Sequence, residues 1–175
     1  RLGLLSRVPY MIENKRSDPV EWKRRNAEAL EHHQVRPNYV VFRLVRRHAE
    51  EIAAVFCACF EGPGADPALA RCREMGAEER EYQAGLLIRS LMEAVRAGTK
   101  GGFMAYSRTL AEHRYRQGYR VEELVASLQG LRRVSLEVLR GDPESARYKQ
   151  AIHDYLAMTI EFGIDQIQEV FEEHE

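Results

Sequence analysis

No stretch of this chain approaches the run of about 18 uninterrupted apolar residues that a membrane-spanning helix needs. Its first residues, Arg1-Leu2-Gly3-Leu4-Leu5, also lack the basic segment, hydrophobic core and cleavage site of a secretory leader. A cytoplasmic protein with no membrane contact is therefore expected. Excess charge of either sign is missing too: 26 Lys and Arg face 27 Asp and Glu, so no overall field draws the chain to nucleic acid. Cysteine is scarce. Cys57, Cys59 and Cys72 are odd in number and irregular in spacing, which suits a reducing compartment better than a disulfide framework.

Catalytic signatures are equally absent. The sequence offers no nucleophile paired with a base and no complete ligand set, so no catalytic residue, metal site or enzyme activity is expected. Asp154, Glu161 and Asp165 share a helix, yet no histidine stands at the i+3 position that di-iron bundles use, and a solvated face explains them. Gly98-Thr99-Lys100-Gly101-Gly102 resembles a phosphate loop only in composition. It lacks the full spacing and a preceding strand, and reads as a helix connection.

What the chain does have is helical periodicity almost throughout. Its 175 residues are enough for one helical bundle burying on the order of 70% of its unfolded surface. Asp18-Pro19-Val20-Glu21 predicts a helix start with N-cap, N1 proline and capping box, running to about His33. Leu2 to Ile12 reads as a short helix or arm. Pro37 opens a helix expected to continue through Val40, Leu44, His48, Ile52, Val55, Phe56 and Cys59. The segment Glu61 to Pro67 is the strongest loop signal and the best place to divide an N-terminal layer, residues 1–60, from a main bundle, residues 67–175. A further helix carries Leu86, Leu87, Leu91, Met92 and Val95. Asp142-Pro143 is expected to start a last helix about thirty residues long. The fold class is all-α, a bundle of about six helices with a long C-terminal exit helix.

Two amphipathic patterns meet at Gln117-Gly118-Tyr119. The first is expected to bury Phe103, Tyr106, Leu110 and His113, and Gly118 to end it in a left-handed turn. The second carries the stripe Val121, Leu124, Val125, Leu128, Leu131, Val134, Ser135 and Val138. The phrase His113-Arg114-Tyr115-Arg116-Gln117-Gly118-Tyr119-Arg120-Val121-Glu122-Glu123-Leu124, followed by Leu128-Gln129-Gly130-Leu131-Arg132-Arg133, resembles the RsbRD-type N-terminal domain of bacterial stress-signalling co-antagonists and some sensor histidine kinases. The likeness covers roughly residues 103–172. It implies an all-helical, non-catalytic input module that signals through its C-terminal helix to a kinase or stress-response output.

The exit helix presents Ile152, Leu156, Thr159, Gly163, Gln166 and Val170 in alternating four- and three-residue steps, which suits bundle core or a homodimer seam. Leu156, Thr159, Gly163 and Val170, with Arg132 and Arg133, are the expected interaction residues. The chain ends in Glu172-Glu173-His174-Glu175 without a glycine or proline stop, as a fragment cut inside a continuing helix would. Of the arginines, Arg114, Arg116, Arg120, Arg132 and Arg133 suit ion pairs with Glu112, Glu122, Glu123 and Glu137, with Arg132 or Arg133 partly buried.

Two alternatives stand beside the input-module reading. In a ligand-binding or haem-binding sensor, Phe103, Tyr106, His113, Tyr155 and Phe162 would line a pocket. Redox sensing would fall to Cys57, Cys59 and Cys72, although a C-x-C pair on a helix directs its side chains apart. Among the six histidines, His32, His33, His113 and His153 are the ligation candidates, but none sits in a metal motif. No cofactor is expected by default. A helix-turn-helix regulator at Gly118 is the second alternative, weakened by two glutamates where phosphate would lie.

Overall fold

The computed structural model describes residues 36–61 and 65–174. The expected helix from Asp18, the Leu2 to Ile12 segment and His32 and His33 lie outside the described residues. Every described element is helical: α1 (Pro37–Arg47), α2 (Ala49–Ala58), α3 (Ala70–Glu74), α4 (Ala77–Ala97), α5 (Gly101–Arg116), α6 (Val121–Arg140), α7 (Lys149–Ile152) and α8 (Met158–Glu172). Short 3-10 turns precede α3 and α7, at Pro67–Leu69 and Pro143–Arg147.

Pro37 sits at the start of α1, where its fixed φ suits the first turn and its missing N–H is no loss. Val40, Val41, Leu44 and Val45 form the buried face. The unbroken helix expected beyond Arg47 is instead interrupted at His48, whose backbone leaves helical geometry at φ −105° and ψ 9°. Its N–H is shared between Leu44 O and Val45 O, both at 3.2 Å, and its carbonyl restarts α2 by accepting from Ile52 N. The interruption aims the imidazole at Asp142, with Nε2 2.9 Å from Oδ2, while Nδ1 meets Glu51 at 3.1 Å. Arg47 adds a 2.8 Å bond to the same carboxylate. A long-range tether thus overrides local periodicity.

α4 ends at Gly98, which takes a left-handed φ of 70°. Asn38 from α1 closes that end, donating from Nδ2 to Arg96 O at 2.9 Å and Val95 O at 3.3 Å. The buried amide satisfies the Arg96 carbonyl and adds a second donor to Val95 O, which also accepts from Gly98 N at 3.1 Å. The cap works across the packed α1 and α4 pair.

The expected thirty-residue terminal helix begins later than its sequence signals. Asp142 does cap Glu144 N at 2.8 Å, but Pro143–Arg147 forms a 3-10 turn and α-helix starts at Lys149. From there α7, a π turn at His153–Ala157 and α8 run on continuously. α8 packs most extensively on α5 and next on α6; α4 packs on α1, α2 and α5. Small residues permit the α5–α8 approach. Gly163 faces Phe103 and Ser107, and a Cβ built at 163 would lie 2.5 Å from Phe103 Cε1 and 2.7 Å from Ser107 Oγ.

One hydrophobic core joins these helices. It includes Val41 and Ile52 from α1 and α2 together with Leu91, Leu131, Leu156 and Ile167. Each such side chain contributes roughly 1.5–3 kcal/mol when fully buried. The expected division between 1–60 and 67–175 does not separate the described residues, because helices on both sides of the loop share that core.

Candidate functional site

The α5–α6 corner is built from backbone geometry upward. Gly118, at φ 76°, donates to Tyr115 O at 2.8 Å, while Tyr119 N reaches Arg114 O at 3.0 Å. These paired bonds form a Schellman closure, which glycine accommodates without a Cβ penalty. Arg120 N then donates to Glu123 Oε2 at 2.8 Å, closing the first turn of α6. Arg71 from α3 clasps the corner by donating to Gln117 O at 3.0 Å and to Gly118 O.

That corner directs Tyr119 back against the bundle. The Arg71 and Arg114 guanidiniums lie 4.8 and 5.0 Å from its ring centre. Such cation–π contacts each contribute about 0.5–2 kcal/mol, more as water is excluded. Beside them is a half-open cavity of about 70 Å³ between α4, α5 and α6. Its wall is mainly apolar, with Phe56, Phe60, Leu87, Leu110 and Leu128, and its polar side chains include Arg114, Glu123, Tyr106 and Cys72.

Arg114 is only 8% exposed and Glu123 4%. Arg114 Nη1 donates to Gln117 Oε1 at 2.8 Å, but no carboxylate of the described residues lies within 4.0 Å of the guanidinium. Burial pushes the Cys72 thiol up, with Glu123 adding to the effect and Arg114 opposing it. Burial also raises Tyr106 and Tyr119, again against Arg114. All three groups therefore remain protonated near neutral pH. The cavity offers hydrogen-bond donors and a cation, and the raised thiol disfavours thiolate attack there.

Of the expected pocket residues, only Tyr106 lines this cavity. Phe103 is fully buried against the Gly163 crossing. His113 is exposed and contacts Gln117 Nε2 at 3.1 Å, so the expected buried position falls to Arg114 instead. Tyr155 is half-buried, and Phe162 is exposed with Lys100 Nζ 5.4 Å from its ring centre. The five do not form one pocket. The spacing of Tyr106, Leu110 and Arg114 was the available signal, since three residues at four-residue steps share a helix face.

Leu156, Thr159, Gly163 and Val170 are buried within the protomer. The intramolecular contacts of α8 with α5 and α6 occupy the seam expected to meet a second copy. Arg132 is half-buried, with Nε 2.9 Å from Glu161 Oε1, although its N–H does not align on that oxygen. Arg133 is exposed and reaches Cys59 Sγ at 4.0 Å. Cys57, Cys59 and Cys72 are free thiols, with Cys57 also raised chiefly by burial. Among the described residues, no three His, Cys, Asp or Glu side chains are grouped to hold a metal. His153 instead contacts neighbouring Asp154 at 3.1 Å.

The helix-turn-helix alternative would place α6 in a DNA groove. α6 is instead packed by both α2 and α8. No helix among the described residues is long and apolar enough to cross a membrane. Comparisons with protein-family models, curated proteins and solved structures find no match to this chain.

Proposed function

We propose that this chain is a sensory or regulatory input domain of a bacterial signalling protein, relaying a stimulus through helix packing to a kinase or stress-response output. One observation carries the reading: α5 lies between a cavity and the C-terminal helix. Tyr106, Leu110 and Arg114 line the cavity, whereas Phe103 and Ser107 of the same helix meet Gly163 of α8. Close packing makes such a helix a stiff connector, because a displacement on one face must be absorbed on the other. The phrase from His113 to Arg133, resembling an RsbRD-type domain, supplies this corner. The protonated thiol and phenols beside Arg114 favour binding over nucleophilic chemistry.

A homodimer is part of the proposal, but its interface belongs on a surface other than the buried seam of α8. The test measures output in the native cell, as kinase autophosphorylation or stress-regulated transcription. Gly163→Ala perturbs the relay at α8, Ala84→Leu perturbs it at the cavity, and Asp165→Asn is the exposed control. At matched abundance of folded protein, the first two should change output severalfold and the control should not. Unchanged output in both relay variants would overturn the reading.

A further inference from the structure

Arg114 is more than nine-tenths buried, lines the cavity, and among the described residues has one side-chain hydrogen bond, to the neutral oxygen of Gln117. Among the described residues its remaining N–H donors have no side-chain acceptor, and they are not closed off from water. A planar guanidinium at a cavity wall is suited to a carboxylate that accepts two N–H bonds in parallel. Two other charged side chains, Arg80 and Glu123, line the cavity, and each has partners of its own. Arg80, also on the cavity wall, is engaged with Met75 O at 2.5 Å, Arg73 O at 3.2 Å and the Glu61 carboxylate. Glu123 is held by the Arg120 N–H at the start of α6, where the helix dipole favours a negative charge.

We infer that the cavity between α4, α5 and α6 binds a small organic carboxylate, with its acid group on Arg114 and its apolar body among Phe56, Leu87, Leu110 and Leu128. Size limits the class. One ordered water needs roughly 10–15 Å³ of such space, so the 70 Å³ present admits a body of a few carbons. Short aliphatic acids fit this description better than nucleotides or long fatty acids. The inference supplies a ligand class to the proposed input domain and rests on that reading only for the use made of binding. Binding and output are separate readouts, so either can fail alone.

The experiment titrates the purified chain with butyrate and, in parallel, with neutral butyramide, following amide chemical shifts by NMR. The acid and amide have similar shapes, so their difference reads the charge at Arg114. Butyrate should shift signals from the cavity wall and bind at least about tenfold more tightly than the amide, as expected for charge-assisted hydrogen bonds. Ala84→Leu, which fills the wall from α4 and leaves Arg114 in place, should abolish saturable binding. Arg114→Gln should bring acid and amide to similar affinity. Should either variant fold poorly, the comparison of acid with amide on the unaltered chain still decides. Equal affinity for the two probes, or no saturable shift with butyrate, would overturn the inference.

Discussion

Replacing Gly163 with alanine introduces one methyl group where α5 and α8 approach most closely. The new Cβ would lie 2.5 Å from Phe103 Cε1, 2.7 Å from Ser107 Oγ and 2.9 Å from Phe103 Cδ1. Phe103 and Ser107 are both fully buried, so neither can withdraw into solvent. Two effects compete. Alanine improves intrinsic helix propensity by about 0.8–1 kcal/mol, whereas overpacking a filled core costs about 1–3 kcal/mol. Three contacts this short place the cost near the upper end, so the net loss should be about 2 kcal/mol. For a chain of this size that corresponds to a fall in Tm of about 4–8 °C. Urea unfolding followed by circular dichroism should show a lower midpoint at an unchanged slope. Adding Phe103→Leu, which removes the ring edge, should make the double variant more stable than the sum of the single losses. A Gly163→Ala protein as stable as the parent would refute the close crossing.

Three other perturbations test separate parts of the structure. Asn38→Ala strips the Arg96 carbonyl of its donor and leaves Val95 O with the Gly98 N–H alone, and should cost about 1 kcal/mol in urea unfolding; no loss would deny the cross-helix cap. Gly118→Ala forces a side chain into a left-handed backbone and should cost about 1–2 kcal/mol, while the Arg71 guanidinium leaves enough room at 3.5 Å to avoid a steric penalty; an unchanged midpoint would contradict the positive φ. The Asp142 carboxyl is lowered to about 2 from 3.8, first by the His48 hydrogen bond and then by Glu144 N–H and Arg47. Its stabilisation is therefore present above pH 3.8 and lost as pH falls through 2. His48 is raised above 6.5, first by Asp142 and then by Glu51, so its contribution is full below pH 6.5 and declines as pH rises through the higher folded value. Asp142→Asn should reduce both dependences in urea midpoints measured across pH; an identical pH profile would remove this tether from the account.

Much of the architecture was legible because local signals were strong. Proline and aspartate starts at Pro37 and Asp142, and the glycine stop at Gly118, mark real element boundaries. The stripe through Leu124, Leu128, Leu131 and Val134 is buried as its spacing requires. Failures came where distant partners decide. Nothing local announces the interruption at His48, which depends on Asp142 from the far side of the sequence. The same holds for Asn38, whose acceptors lie at the end of α4. The site was harder still. Arg114 reads as a surface ion-pair residue by type, and only the packing of Tyr119 and the cavity reveals a buried cation. Phe103 and Phe162 are aromatic on the same pair of helices, yet one fills the core and the other is exposed, a distinction set by the crossing at Gly163.

The central claim is that α5 transmits a change in the cavity to the C-terminal helix. Backbone amide shifts should therefore be compared by NMR between the unaltered chain and Ala84→Leu, in which the cavity is filled from a wall that includes no residue of α8. The account expects perturbations to continue through Tyr106 and Ser107 to Thr159 and Gly163. Shifts confined to the cavity wall, with residues 149–172 unchanged in a folded protein, would contradict it.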